Sequence, residues 1–393
     1  MQKINLKLVI VLGLSASFLA GCNGGSASSS PAQVTASNSV QITAGSGYNG
    51  NGYNTPYVTV TVCQPNTTIC QTVDHILLDT GSVGLKIDQS QLQTTLPSIT
   101  QTGSGLPISV CNLYGSGYVF ATANYADVYI GGEKAPNIPV QIIDDSTSQS
   151  GVPSSCSNQG AFVDFSNSSG AKGIIGVNPM INLGNNTNLD YTCAGGVCTE
   201  INSGIPVTYL NVNPVGYFVS GNNNGEVVSL PTVSANTNSN ITGTLTFGIN
   251  TESNNQVPTN ISSVQGDPND FIGRFIGLSS GAYFPTMFDS GTNHFRFYST
   301  EIDLCGELYC PSSPTAWTSQ ISSYNMSGSA ISLSSIITSQ TVAYSLMPNL
   351  GLSAQSGSGL YGLPFYFGKN VYLGFVGSNS SMGSGPTWGF VNQ

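Results

Sequence analysis

Apolar and polar residues alternate in short runs along most of the chain, with Gly, Asn and Ser between the runs. That period of two predicts strands, and the punctuation predicts tight turns. Pro56-Tyr-Val-Thr-Val-Thr-Val62 reads as one strand. The chain returns through Thr72-Val-Asp-His-Ile-Leu-Leu78 and runs into Asp79-Thr80-Gly81-Ser82, followed by Val83-Gly-Leu-Lys-Ile87. Leu113-Tyr114-Gly115-Ser116-Gly117-Tyr118 is a glycine-rich tip between two strands, which predicts a hairpin. Lys172-Gly-Ile-Ile-Gly-Val177 is a short apolar strand ending near glycine. In the second half, strand signals recur at 206–210, 216–219, 226–230 and 242–248. Phe284-Pro-Thr-Met-Phe288 then leads into Asp289-Ser290-Gly291-Thr292 and Asn293-His-Phe-Arg-Phe297. Residues 360–368 and 371–375 read as two closing apolar strands.

The order is strand, acidic turn, hairpin, apolar-Gly strand, then acidic turn and apolar-Gly strand again. This is a weak repeat of a half-molecule. The 393 residues suffice for a large core in two lobes. Only 7% of residues are charged, and few windows have helical composition, so the fold class is all-β. The predicted organisation is a leader at 1–22, a flexible Ser/Gly/Asn-rich tether at 23–55, an N-terminal lobe at 56–205 and a C-terminal lobe at 206–393.

The leader carries Lys3 and Lys7 before an apolar stretch, and ends Leu19-Ala20-Gly21-Cys22. That ending resembles the bacterial lipobox. The resemblance implies lipidation of Cys22 and a lipid-anchored protein of the cell envelope. Asn23 stands where an inner-membrane retention signal has Asp, which favours the outer membrane, facing periplasm or surface. The competing reading is an ordinary secretory leader. Removing Lys3 and Lys7 leaves six basic against eighteen acidic residues, a net of −12. No basic patch is present for nucleic acid, and contact with the membrane is expected through the lipid alone. The expected state is a monomer.

Nine cysteines less Cys22 leave eight. Cys63/Cys70, Cys193/Cys198 and Cys305/Cys310 are close in sequence; Cys111 and Cys156 remain and could pair with each other, and spacing alone leaves the connectivity open. Four disulfides fit an oxidising compartment. With two histidines and no CxxC, no metal site is expected.

Each acidic turn sits behind an apolar strand, and a buried carboxylate is costly unless it is bonded or used. Asp-x-Gly alone is ordinarily an Asx-turn between strands. Two matched copies with an intervening glycine-tipped hairpin resemble the pepsin-like aspartic proteases. Asp79-Thr80-Gly81-Ser82 and Asp289-Ser290-Gly291-Thr292 match the two catalytic turns of that family. Tyr114-Gly115-Ser116-Gly117 looks like its flap. Ile174-Ile175-Gly176 and Leu360-Tyr361-Gly362 resemble its hydrophobic-hydrophobic-Gly segments. Two positions depart from the pattern: Lys86 stands where the family usually has Trp, and Leu363 where an aspartate often follows.

The resemblance implies a two-lobed fold with a cleft between lobes and an endopeptidase that needs no cofactor. Asp79 and Asp289 would share a proton, because two adjacent carboxylates do not both ionise easily. One would draw a proton from water while the other protonates the peptide carbonyl of a polypeptide substrate. Gly81 and Gly291 would let backbone N–H groups approach the carboxyls. Thr80 and Ser290 would cross-link the turns, and Ser82 and Thr292 would bond the outer carboxylate oxygens. Tyr114, with Gly115 and Ser116, would close over the substrate. The alternatives are an inactive protease-like envelope protein that binds peptides or glycans, and a purely structural envelope protein. Gly357-Ser-Gly-Leu-Tyr-Gly362 satisfies GxGxxG, but no helical pattern follows, so dinucleotide binding is not expected. His75 and His294 lack a Gly-x-Ser-x-Gly partner for a serine triad and read as strand residues.

Overall fold

The alternating strands assemble, in a computed structural model, around two places where one strand threads between the arms of an acidic turn. The structure describes residues 38–144, 151–183, 189–279, 281–340, 343–354 and 359–393. The leader, Cys22 with its lipidation, residues 23–37 and Gly357 of the GxGxxG match lie outside them.

The first half supplies β1 (Ser39–Gly45), β2 (Thr55–Cys63), β3 (Cys70–Asp79), β4 (Val83–Asp88), β5 (Ile108–Tyr114), β6 (Gly117–Ile130), β7 (Glu133–Ile143) and β8 (Gly173–Val177). Their spatial order within a fifteen-stranded sheet is β5-β6-β7-β4-β8-β3-β2-β1. The sheet continues through Ile241–Phe247, Gly225–Leu230, Lys369–Gly374, Thr387–Asn392 and Ser262–Gln265. In β2 the residues Val58, Val60 and Val62 are buried while Thr59 is exposed, so the period of two does select one face for the core.

β8 runs parallel to β3, with Asp79 opposite Gly176, and antiparallel to β4, with Val83 opposite Val177. The Asp79 turn is therefore wrapped around the end of β8. The second half repeats the device. Tyr361 bridges Phe288 in parallel and pairs with Phe295 antiparallel, and its carbonyl accepts the Asp289 N–H at 2.9 Å. A Cβ on Gly176 would meet the Ser82–Val83 backbone at 2.4 Å, and one on Gly362 the His294 carbonyl at 2.2 Å. The glycine of each apolar-Gly segment is thus required by close backbone approach.

Three expectations are corrected. Residues 38–55 are not a tether. β1 pairs with both Ile241–Phe247 and β2, and Ile42 and Ala44 are fully buried. Asn54, also fully buried, donates to the carbonyls of Asn293 and Met347 and accepts the Met347 N–H. The strand alternation of Val40, Ile42 and Ala44 was masked by the Ser/Gly/Asn-rich composition around it. Second, the first half does not stop at 205: Asn211–Val212 pairs with Asn182–Leu183 and packs on β4 and β7. Third, two segments read as strands are helical. Pro214–Tyr217 is a 3₁₀ turn capped by Asn213, and Leu363–Tyr366 is a helical turn with Pro364 at its start. Proline fixes φ and removes a donor, which suits a first helical turn better than a strand.

The four disulfides are Cys63–Cys70, Cys111–Cys156, Cys193–Cys198 and Cys305–Cys310. Only Cys111–Cys156 closes a long loop, of 45 residues, and both of its cysteines are fully buried. It ties β5, the strand that carries Tyr114, to the segment packed beneath the hairpin. Loop-closure entropy makes its double Cys→Ala variant about 4 kcal/mol less stable, against about 2 kcal/mol for Cys193/Cys198. Urea midpoints of the two variants give the comparison, and equal losses would contradict it.

Candidate active site

The two threaded turns meet. Thr80 and Ser290 are fully buried and bond reciprocally. The Thr80 N–H donates to Ser290 Oγ at 3.1 Å, and the Ser290 N–H to Thr80 Oγ1 at 2.9 Å. Each hydroxyl then donates to the strand of the opposite half: Thr80 Oγ1 to the Phe288 carbonyl and Ser290 Oγ to the Leu78 carbonyl, both at 2.7 Å. Tyr366 OH reinforces the joint, 2.8 Å from Thr80 Oγ1 and donating to the Phe288 carbonyl at 2.9 Å. Asn178 Nδ2 donates to the Thr80 carbonyl. Phe288 is itself clamped, stacked on Phe365 with ring centroids 4.2 Å apart.

Asp79 and Asp289 are brought side by side. Asp79 Oδ1 accepts the Gly81 N–H at 2.7 Å, and Oδ2 the Ser82 hydroxyl at 2.5 Å. Asp289 Oδ1 accepts the N–H groups of Gly291 and Thr292, and Oδ2 the Thr292 hydroxyl at 2.8 Å. Each turn is therefore an Asx-turn by its local bonding, and the Asx reading and the paired-site reading coexist. The carboxyls also face each other's turn. A Cβ on Gly81 would lie 2.7 Å from Asp289 Cγ, and one on Gly291 2.6 Å from Asp79 Oδ1. Only glycine leaves room for both. Burial drives the Asp289 carboxyl well above the usual range, and the charge of Asp79 and a hydrogen bond to it push the same way. The Thr292 hydroxyl and Gly291 N–H act in the opposite sense.

The pair lies in the wall of a cavity of about 760 Å³. Tyr114, Gly115 and Ser116 form the tip of the β5–β6 hairpin and line the same cavity. The Tyr118 N–H bonds the Ala161 carbonyl and the Val163 N–H the Tyr118 carbonyl, which hold the hairpin base. The Tyr114 ring meets Phe165 edge-on with centroids 5.9 Å apart. Its hydroxyl is buried without a partner. Burial first, and then the charge of Asp79, push that phenol well above its ordinary range.

Lys86 occupies the wall beside Asp79, 2% exposed. Its Nζ donates to the Val83 carbonyl and to Asn211 Oδ1, both at 2.9 Å. Asn211 Oδ1 also accepts from Gln141 Nε2, and Gln141 Oε1 accepts from Asn112 Nδ2 on β5. A buried chain of amides thus links the ammonium to β5, the strand that carries Tyr114. Burial lowers the Lys86 ammonium to about 7, against the opposing pull of Asp79. Sequence reading flags Lys86 as a departure, but its partners are distant in sequence and no local pattern announces them. Tyr366 and Asn178 are missed as site residues for the same reason. His294 and Arg296 line the cavity from the strand after Thr292.

A family model described as "Protein of unknown function (DUF3443)" matches residues 34–390. The chain belongs to the DUF3443 family. Among solved structures, this DUF3443 member is similar to the aspartic proteinase from Irpex lacteus, with a TM-score of 0.53 and 15% identity over 90% of this chain and 97% of that one. At that identity the likeness is one of fold. The pepsin-like fold of this DUF3443 chain is accordingly nearly all strand and turn. No curated protein matches the chain.

The depressed Lys86 ammonium makes a stability prediction for this DUF3443 fold. Between about pH 7 and the free-lysine value of about 10.4, the unfolded chain binds the proton that the folded chain releases, so stability rises with pH. Lys86→Met removes that dependence. Its stability relative to wild type is highest below pH 7 and falls by up to about 4 kcal/mol toward pH 10. Denaturant midpoints at pH 6, 8 and 10 measure it, and a pH-independent difference would show that the amine is not desolvated.

Proposed function

We propose that the chain is an aspartic endopeptidase that hydrolyses peptide bonds with water activated by Asp79 and Asp289. One observation carries the reading: two buried carboxyls, each facing the other's glycine on reciprocally cross-linked turns, at a cavity beneath a tyrosine-bearing hairpin. In the attack step Asp79 takes a proton from water and Asp289, which burial keeps protonated, donates to the carbonyl oxygen. Gly81, Ser82, Gly291 and Thr292 hold the carboxyls in place. Tyr114 covers the substrate, and the polypeptide lies extended along the cavity. An acylated Cys22 would keep the enzyme at the envelope.

The test is digestion of an unfolded protein from acid to neutral pH by a form lacking the leader. Wild type is expected to cleave and to be blocked by pepstatin. Asp79→Asn and Asp289→Asn each lose at least about a hundredfold in rate. Folded wild-type protein that cuts nothing at any pH would sink the hydrolase and favour the peptide- or glycan-binding reading.

A pH dependence follows with a definite sign. The pair works with one proton, and Asp289 retains its proton above the usual carboxylate range. Activity therefore persists at pH values well above about 4, where a free aspartate has lost its proton, and falls as the shared proton is lost. A kcat/KM profile whose descending limb lies at about 4 would contradict the burial argument.

A further inference from the structure

Six basic residues lie in the described part of the chain: Lys86, Lys134, Lys172, Arg274, Arg296 and Lys369. Their partners separate them. Lys134 pairs with Asp127 at 2.8 Å, Lys172 with Asp74, and Arg274 with Asp270 at 2.7 Å. Lys369 lies over the Phe365 ring, 4.8 Å from its centroid. Lys86 is held by Val83 and Asn211. Arg296 has no ion-pair partner among the described residues, and its Nε is buried without an acceptor. In a chain of net charge −10, an unpaired and half-buried guanidinium stands out.

Its position gives the feature meaning. Arg296 lines the same cavity as the acidic pair, from the strand Phe295–Phe297. Phe295 and Phe297 are buried in the core, so Arg296 points from the opposite face. His294, two residues earlier, lines the cavity as well, and its Nδ1 is also buried without a partner. Burial and the Arg296 charge bring the imidazole down to about 4, so it is neutral over most of the working range. A buried N–H with no acceptor costs about 1–3 kcal/mol. A carboxylate would remove that cost at Arg296, because the planar guanidinium fork matches two carboxylate oxygens. A neutral imidazole with its proton on Nδ1 would donate a further bond. The cavity's balance permits a second anion: with one shared proton the acidic pair carries a single negative charge, in a cavity that Arg296 and Lys86 also line.

We infer that Arg296 and His294 form a subsite for a carboxylate of the bound peptide, supplied by an Asp or Glu side chain or by the peptide's own C-terminus. The inference rests on the hydrolase reading for the peptide nature of the ligand. Arg296 follows Asp289 by seven residues on the same wall of the cavity, so the carboxylate sits within a few substrate residues of the scissile bond.

The test uses matched peptides that carry Glu or Gln at one scanned position, each with a free or an amidated C-terminus. Wild type is expected to prefer a carboxylate at one position by about tenfold to a hundredfold in kcat/KM. That ratio collapses toward one in Arg296→Gln and is intermediate in Arg296→Lys, which keeps the charge and loses the fork. A preference for Glu assigns a side chain, and a preference confined to the free terminus assigns the chain end. Near-UV circular dichroism establishes that each variant is folded. Binding of the same peptides to Asp289→Asn by fluorescence polarisation separates this inference from the hydrolase reading. A carboxylate preference lost with Arg296→Gln in a protein that cuts nothing would retain the subsite and sink the hydrolase. Equal handling of all four peptide types, in cleavage or in binding, overturns the subsite.

Discussion

The joint between Thr80 and Ser290 is the constraint on which the rest of the site depends. Each hydroxyl accepts the other turn's N–H and donates to the strand that delivers the other acid. Four hydrogen bonds at about 1 kcal/mol net each are modest in total. Their leverage lies in burial, because breaking one leaves an unpaired donor or acceptor with no water to replace it. The joint fixes the relative position of Gly81 and Gly291, and hence of Asp79 and Asp289. Tyr366 and Asn178 act on the same joint from outside, which makes the geometry of the acids a property of both halves.

Two buried carboxyls beside each other are tolerated because protons and donors are supplied locally. Asp79 receives two donors and Asp289 three. Burial and mutual repulsion hold a proton on Asp289. Lys86 adds a positive charge in the wall but is itself desolvated, and its two acceptors only partly offset that cost. Burial lowers the Lys86 ammonium and raises the Asp289 carboxyl, so the field in the cavity changes with pH.

Much of this was legible in the sequence wherever the signal was local. An apolar strand ending in Asp-Thr-Gly-Ser or Asp-Ser-Gly-Thr, a Tyr-Gly-Ser-Gly hairpin tip, and apolar-apolar-Gly segments all report short-range geometry. Their order along the chain was enough to suggest two similar halves. What escaped was tertiary. β1 was hidden because its polar-facing positions share the composition of a linker. Leu363–Tyr366 reads as a strand from sequence because a buried helical turn and a buried strand are equally apolar. Lys86, Asn211, Gln141 and Asn112 are spread over a hundred residues of sequence and become one network only when β4, β5 and β7 come together.

Lys86 also bears on the β5–β6 hairpin. Its position is one where a pepsin-like chain usually carries an aromatic donor for the flap tyrosine. Here the ammonium is turned to Val83 and Asn211, and Tyr114 OH is left buried with no partner. Arg296 Nε and His294 Nδ1 are in the same condition around the same cavity. Buried polar atoms are ordinarily satisfied, and unsatisfied ones in a native fold call for a reason. That three of them share one cavity is consistent with a site whose polar inventory is completed by what it binds. A ligand that gives an acceptor to Tyr114 and a carboxylate to Arg296 would relieve both penalties at once. The hairpin would then close because the ligand satisfies it, whereas an aromatic donor at position 86 would hold the tyrosine in place before any ligand arrived.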